Sequence, residues 1–229
     1  MMSYTAIAAT LIAAGLAPRG GFIVRADDGV PPRADGRVAR TLILAGNAGS
    51  SMWPAFSTSP ELQTAAHPLD AWTRRVLSEL AAELGAAPLF PFTGPPYLPF
   101  QRWAMRAEPV YSSPLGLLIH PEFGLWHAYR GALAFADEIV LPARDERPSP
   151  CATCVDRPCL SSCPVGAFSS AGYDVGACAT NIAVPAGASC MTGGCLARHA
   201  CPVGRGFAYE PEQQRFHMQA FLRSRRGRA

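Results

Sequence analysis

A chain of 229 residues with 49% hydrophobic and 16% charged residues can build one sizeable core and a smaller appended unit, and is not a solvated disordered chain. Its formal net charge of +3 is too mild to argue for nucleic acid as a partner. All 20 basic residues are arginine, which excludes a P-loop lysine, a Schiff-base lysine and any catalytic lysine amine.

The opening MMSYTAIAATLIAAGLAPRG is apolar but lacks the basic start of a secretory signal. Its larger side chains, Tyr4, Ile7, Leu11, Ile12 and Leu16, fall at amphipathic spacing and predict a helix rather than a leader. No run approaches the roughly 18 apolar residues of a membrane span, so the expected location is cytoplasmic with no membrane partner. GFIVRADD is strand-like, GVPPRADGR is a turn or loop, and TLILAGNAG is an apolar run of strand length ending in glycine. HPLDAWTRRVLSELAAELG predicts a long helix with Pro68 in its first turn and Gly85 as its C-terminal cap. Trp72, Val76, Leu77, Leu80 and Leu84 line one face of it. PLFPFTGPPYLPFQRWAMRAEP is too proline-rich for continuous regular structure, apart from a short helix at QRWAMRA. GLLIHPEFG and HAYRGALAFA read as two strands joined by a tight turn at Pro121 to Gly124. Strands and helices in this order suggest an α/β or α+β sandwich, and periodicity does not choose between them.

The charged, proline-rich PARDERPSP predicts a linker over residues 143–150. It separates a cysteine-free domain, 1–142, from a region, 151–210, that carries all eight cysteines; residues 211–229 read as a C-terminal helix and basic tail. The spacing is Cys151-x2-Cys154-x4-Cys159-x3-Cys163-Pro164, then Cys178, then Cys190-x4-Cys195-x5-Cys201-Pro202. CLSSCPVGAF matches CLARHACPVGRGF with a two-residue insertion. Such a duplication builds a two-cluster ferredoxin unit, in which each half gives three thiolates to one [4Fe-4S] cluster and its Cys-Pro thiolate to the other.

On that crossed pattern Cys151, Cys154, Cys159 and Cys201 hold one cluster, and Cys163, Cys178, Cys190 and Cys195 hold the second. Tight loops let backbone amides point at the sulfurs, proline fixes the exit of the chain, and glycines at 166, 193, 194 and 204 permit close approach. Two thiolate-bound zinc sites and four disulfides remain as rival uses of eight cysteines. Neither rival explains two Cys-Pro-Val-Gly repeats, each with a third cysteine just ahead. The x4 and x5 gaps are longer than in the compact ferredoxin pattern.

Outside the cysteines, PLGLLIHPEFGLWHAYRGALAF resembles a segment of the cobalamin-processing type C proteins: a strand, His-Pro-x-Phe-Gly-x-Trp, then Arg-Gly and another strand. TLILAGNAGSSMWPAF with HPLDAWTRRVLSEL resembles the strand, Met-containing loop and helix start of the same family. The resemblance covers roughly residues 40 to 142. It implies an α+β, nitroreductase-like sandwich that binds cobalamin, followed here by a small ferredoxin-like two-cluster domain. That order is similar to epoxyqueuosine reductase and the reductive dehalogenases. It implies electron entry through two [4Fe-4S] clusters from a redox partner protein, and reduction of a corrinoid in the first domain. A flavin is the other cofactor such a fold holds, without a motif in its favour here.

By the same resemblance Arg130 matches an arginine that helps bind glutathione. The segment PFTGPPYLPFQRWAMRA has no carboxylate before Glu108, where epoxyqueuosine reductase has its catalytic aspartate, and the tail after Cys201 is short. Epoxyqueuosine reduction is therefore not expected.

His120, Phe123, Trp126, His127 and Arg130 cluster around the expected hairpin, and Met52, Trp53 and Phe56 follow a strand. Met52, Trp53, His120, Phe123, Trp126 and Arg130 are the candidate cofactor-binding residues, with core packing as the alternative. Arg102, Trp103 and Arg106 suit an anionic tail or a solvated face. Arg198 and His199 are expected near a cluster, and the arginines of FLRSRRGRA suit a frayed tail or a docking surface.

Overall fold

The computed structural model describes residues 2–169 and 172–226. Its helices are α1 (Tyr4–Ala13), α2 (Trp53–Ser57), α3 (Glu61–Thr64), α4 (Pro68–Glu83), α5 (Phe100–Ala107), α6 (Pro158–Ser161), α7 (Val175–Ile182), α8 (Ala188–Gly193), α9 (Leu196–His199) and α10 (Pro211–Arg226). Its strands are β1 (Ala17–Ile23), β2 (Thr41–Ala48), β3 (Ala87–Leu89), β4 (Tyr111–Ser112), β5 (Leu118–Ile119), β6 (His127–Phe135), β7 (Phe168–Ser169) and β8 (Gly172–Tyr173). No described helix is long and apolar enough to cross a membrane.

Contacts divide the chain into two units. One comprises the residues up to Pro109 together with His127–Glu146; the other comprises Val110–Trp126 and the residues from Arg147 onward. The expected single boundary at 143–150 is thus only one of three crossings. Val110–Trp126 lacks cysteine and so reads as part of the first domain, yet its packing places it in the cysteine-bearing unit.

The first unit is a mixed α and β assembly around an antiparallel sheet of order β1-β2-β6-β3. TLILAGNAG supplies β2, whose first seven residues are buried, as suits a central strand covered on both faces. Helix α4 lies where its 3.6-residue period predicts. Trp72, Val76, Leu77 and Leu80 are buried along it, with Leu84 at its C-cap and Gly85 just beyond in the left-handed region. Each such buried aliphatic side chain contributes about 1.5–3 kcal/mol relative to an exposed one. Helix α1 buries Ile7 and Leu11 but leaves Ile12 62% exposed, so its apolar face is narrower than the spacing suggests.

The expected hairpin of GLLIHPEFG with HAYRGALAFA does not form. β6 pairs with β2 from Thr41↔Phe135 to Ala48↔His127 and with β3 on its other edge, whereas β5 pairs with β4. An apolar run announces a strand but not its partner, and the two residues of β5 cannot satisfy nine residues of β6. The turn itself is present, because His120 and Gly124 exchange both backbone hydrogen bonds at 2.9 Å.

Polar groups brace the first unit. Arg19, 1% exposed, donates to the Asn47 carbonyl at 2.8 Å and pairs with Glu108, which also accepts from the Tyr129 hydroxyl at 2.7 Å. Burial pushes the Tyr129 phenol well above its ordinary value. On α5 the Trp103 indole donates to the Asp28 carbonyl at 2.8 Å, and Arg106 pairs with the Asp28 carboxylate. Trp103 and Arg106 therefore hold the loop at Asp28 instead of forming a solvated face.

In the second unit Leu115, Ile119, Leu125, Phe168, Ala197 and Cys201 form a small core, with Cys151, Cys159, Cys163 and Cys195 packed against it. Helix α10 packs on α7 and α8. It spans the predicted C-terminal helix and takes FLRSRR into regular structure; residues 227–229 lie outside the described residues.

Candidate functional site

The eight cysteines fall into two sets of four within the second unit. Cys151, Cys154, Cys159 and Cys201 line a small cavity of about 20 Å³ with Pro114, Ile119, Arg157, Pro158, Pro202 and Val203 among its other walls. Cys163, Cys178, Cys190 and Cys195 line a larger cavity of about 530 Å³, otherwise mostly apolar, closed by Phe168, Tyr173, Ile182, Met218 and Phe221 among others. These are the same two quartets that the crossed ferredoxin pattern names.

Local structure explains how residues far apart in sequence converge. In the first quartet Cys151 sits in a short 3-10 turn and Cys159 on α6, whose N-cap Arg157 takes the left-handed φ of 41°. In the second, Cys178 is carried by α7, whose N-cap Asp174 accepts from the Ala177 amide at 2.9 Å. Cys190 lies on α8, and Cys195 is the N-cap residue of α9.

One backbone amide points at a sulfur: the Ala167 N–H donates to Cys163 Sγ at 3.3 Å. Tyr173 lines the same cavity as Cys178. Burial pushes the thiols of Cys151, Cys159, Cys178, Cys195 and Cys201 above their ordinary range. Their electrostatic neighbours divide as the cavities do: Cys151 is raised further by Cys201, Cys159 and Cys154, and Cys178 by Cys163 and Cys190.

A comparison with protein-family models finds no match, and a comparison with curated proteins finds none either. The chemistry therefore rests on the residues themselves. None of the eight thiols is in a disulfide. Among the described residues, no three His, Cys, Asp or Glu side chains converge closely enough to hold a single metal ion.

The six candidate cofactor-binding residues are divided between the two units. Met52, Trp53 and Arg130 belong to the first unit and His120, Phe123 and Trp126 to the second. Met52 is 2% exposed, and Trp53 packs on Phe56, which in turn meets Trp72 edge to face. Arg130 pairs with Asp70 and donates to Thr73 Oγ1 at 3.3 Å, so its guanidinium is engaged within the sheet and α4.

The other three serve the cysteine-bearing unit. His120 stacks on Phe123 at 4.4 Å, and Phe123 meets Phe207 edge to face. Trp126 contacts His199 and Tyr209, with the Arg198 guanidinium 4.3 Å from its ring centroid. Arg198 also lines the larger cavity and donates to the Leu125 carbonyl at 2.5 and 3.1 Å. His199 Nε2 lies 2.6 Å from Gln214 Oε1 and 3.0 Å from the Gly193 carbonyl.

Of the four glycines expected to allow close approach, Gly194 and Gly204 are crowded, while Gly166 and Gly193 face open space. Sequence reasoning passes over Tyr173, which lines the larger cavity, because no spacing rule marks it.

Proposed function

We propose that the chain is an iron–sulfur electron-transfer protein in which each cysteine quartet holds one [4Fe-4S] cluster. The observation that carries this reading is the partition of eight thiols into two sets of four, each around its own space and each crossing between the two halves of the duplicated motif. When bound, each cluster supplies a one-electron acceptor and donor site. The donor set fits in kind, with four cysteines at each space and one amide aimed at the Cys163 sulfur; the larger cavity offers about 530 Å³, whereas the first quartet surrounds about 20 Å³.

A zinc ion draws its thiolates to about 2.3 Å from a common centre, whereas four thiols around about 530 Å³ suit a polynuclear group. What the chain's own residues do is hold the ligands apart and donate a hydrogen bond to sulfur at Cys163. Arg157 and Arg205 place positive charge near the first quartet, and Arg198 lines the second.

A redox partner protein supplies or takes the electron. A corrinoid acceptor in the first unit is implied by the resemblance alone. Met52, Trp53 and Arg130 are committed to internal packing and pairing there, so these residues do not fit the corrinoid role and no step is assigned to one. The test is anaerobic purification followed by absorption spectroscopy. A brown protein with a broad band near ~400 nm that bleaches on reduction is expected, and a colourless protein overturns the proposal. Titration of that protein with cobalamin separates the remaining readings: a spectral shift at micromolar cobalamin restores the corrinoid acceptor, and no shift leaves an electron carrier.

A further inference from the structure

We propose that Gln214 is a positioning residue for the second quartet: its amide, reaching from α10 to His199, holds the turn between Cys190 and Cys195 in the shape that a cluster requires. The inference rests on the two-cluster reading above and names a side chain on which one site depends and the other does not.

Gln214 is 8% exposed, and its amide is bonded at both ends. Its Nε2 donates to the Tyr209 carbonyl at 2.5 Å, which leaves Oε1 as an acceptor 2.6 Å from His199 Nε2. The same imidazole nitrogen lies 3.0 Å from the Gly193 carbonyl, also an acceptor, so His199 Nε2 carries the hydrogen and shares it between the two oxygens. The His199 ring meets Trp126 edge to face at 4.7 Å, and the His199 amide donates to the Cys195 carbonyl at 3.1 Å.

The turn that this clamp grips has little latitude of its own. Gly194, between the two thiols, donates to the Cys190 carbonyl at 3.0 Å and has φ 84° and ψ −175°, a conformation open essentially to glycine alone. A Cβ there would lie 2.1 Å from Gln214 Oε1 and 3.3 Å from the Gln214 Cβ, so the glutamine seats directly on the turn. Gln214 thus ties α10, α9 and the end of α8 together where two ligands of the second quartet are carried. The first quartet takes Cys201 from a loop anchored by other means: Gly204 lies against the Phe123 backbone, and Arg205 Nε donates to the Cys201 carbonyl at 3.4 Å.

The experiment is iron and sulfide analysis with electron paramagnetic resonance of anaerobically purified, dithionite-reduced protein, on the unsubstituted chain, Gln214→Leu, Gln214→Glu, Gly194→Ala and Cys190→Ser. Leucine keeps the bulk of the side chain and loses both hydrogen bonds. Iron should fall by about half, and the surviving signal should be the one that Cys190→Ser also spares. Glutamate keeps the acceptor for His199 and should restore the iron, with the potential of the recovered couple lowered by its charge. Gly194→Ala displaces Gln214 from the other side of the contact and should reproduce Gln214→Leu. Full iron with both signals unmoved in Gln214→Leu overturns this inference and leaves the two-cluster reading intact. Equal loss of both signals, or a Gln214→Glu chain as empty as Gln214→Leu, does the same. An unsubstituted chain with no iron–sulfur signal overturns both.

Discussion

Gly124 and Gly204 meet backbone to backbone in the second unit. A Cβ on Gly124 would lie 2.0 Å from the Val203 carbonyl oxygen, and one on Gly204 would lie 2.3 Å from the Phe123 carbonyl carbon. Both residues also take left-handed φ, 57° and 69°, which a side chain disfavours. The turn after His120 thus seats directly on the loop that carries Cys201. Gly124→Ala is expected to displace that loop and empty the first quartet while sparing the second. Iron per chain should fall by about half, with one of two reducible couples retained.

Arg198 joins the same turn to the cavity wall. Its guanidinium lies 4.3 Å from the Trp126 centroid and 4.5 Å from that of Tyr209, and donates twice to the Leu125 carbonyl. Lysine offers neither the planar stack nor the fork. Arg198→Lys is expected to lower stability by about 1–2 kcal/mol, read as an earlier midpoint in anaerobic denaturant unfolding with an unchanged slope.

The long helix α4 and the central strand β2 were legible because their apolar period is local: every third or fourth residue, or an unbroken run. Strand partnership is not local, which is why β6 was given to the neighbouring β5 and not to β2, some eighty residues earlier in the chain. The cysteines line two cavities in the grouping that the crossed ferredoxin pattern expects, which spacing within a repeat makes visible. The motif of His120, Phe123 and Trp126 marks a tight turn, but nothing local says that this turn packs beside the loop of Cys201.

The loop at Asp28 gives an acid-sensitive element. Burial alone would push the Asp28 carboxyl up, but hydrogen bonds from Arg106 and the Arg25 amide outweigh it and hold the carboxyl below its ordinary value. The stabilisation is therefore fully present above the unfolded value of about 3.9 and is lost as pH falls through the lower folded value. Asp28→Asn should cost about 1–3 kcal/mol at neutral pH and flatten the loss of stability below about pH 4, measured by unfolding across a pH series.

The central claim is that two quartets of cysteines hold two polynuclear iron centres. Its most direct test is the iron, sulfide and zinc content of anaerobically prepared protein, taken for the unsubstituted chain and for Cys190→Ser. The expected result is about eight irons and eight sulfides per chain without zinc, falling to about half in the variant. Zinc at about two per chain, or thiols joined in pairs with no iron, would contradict it.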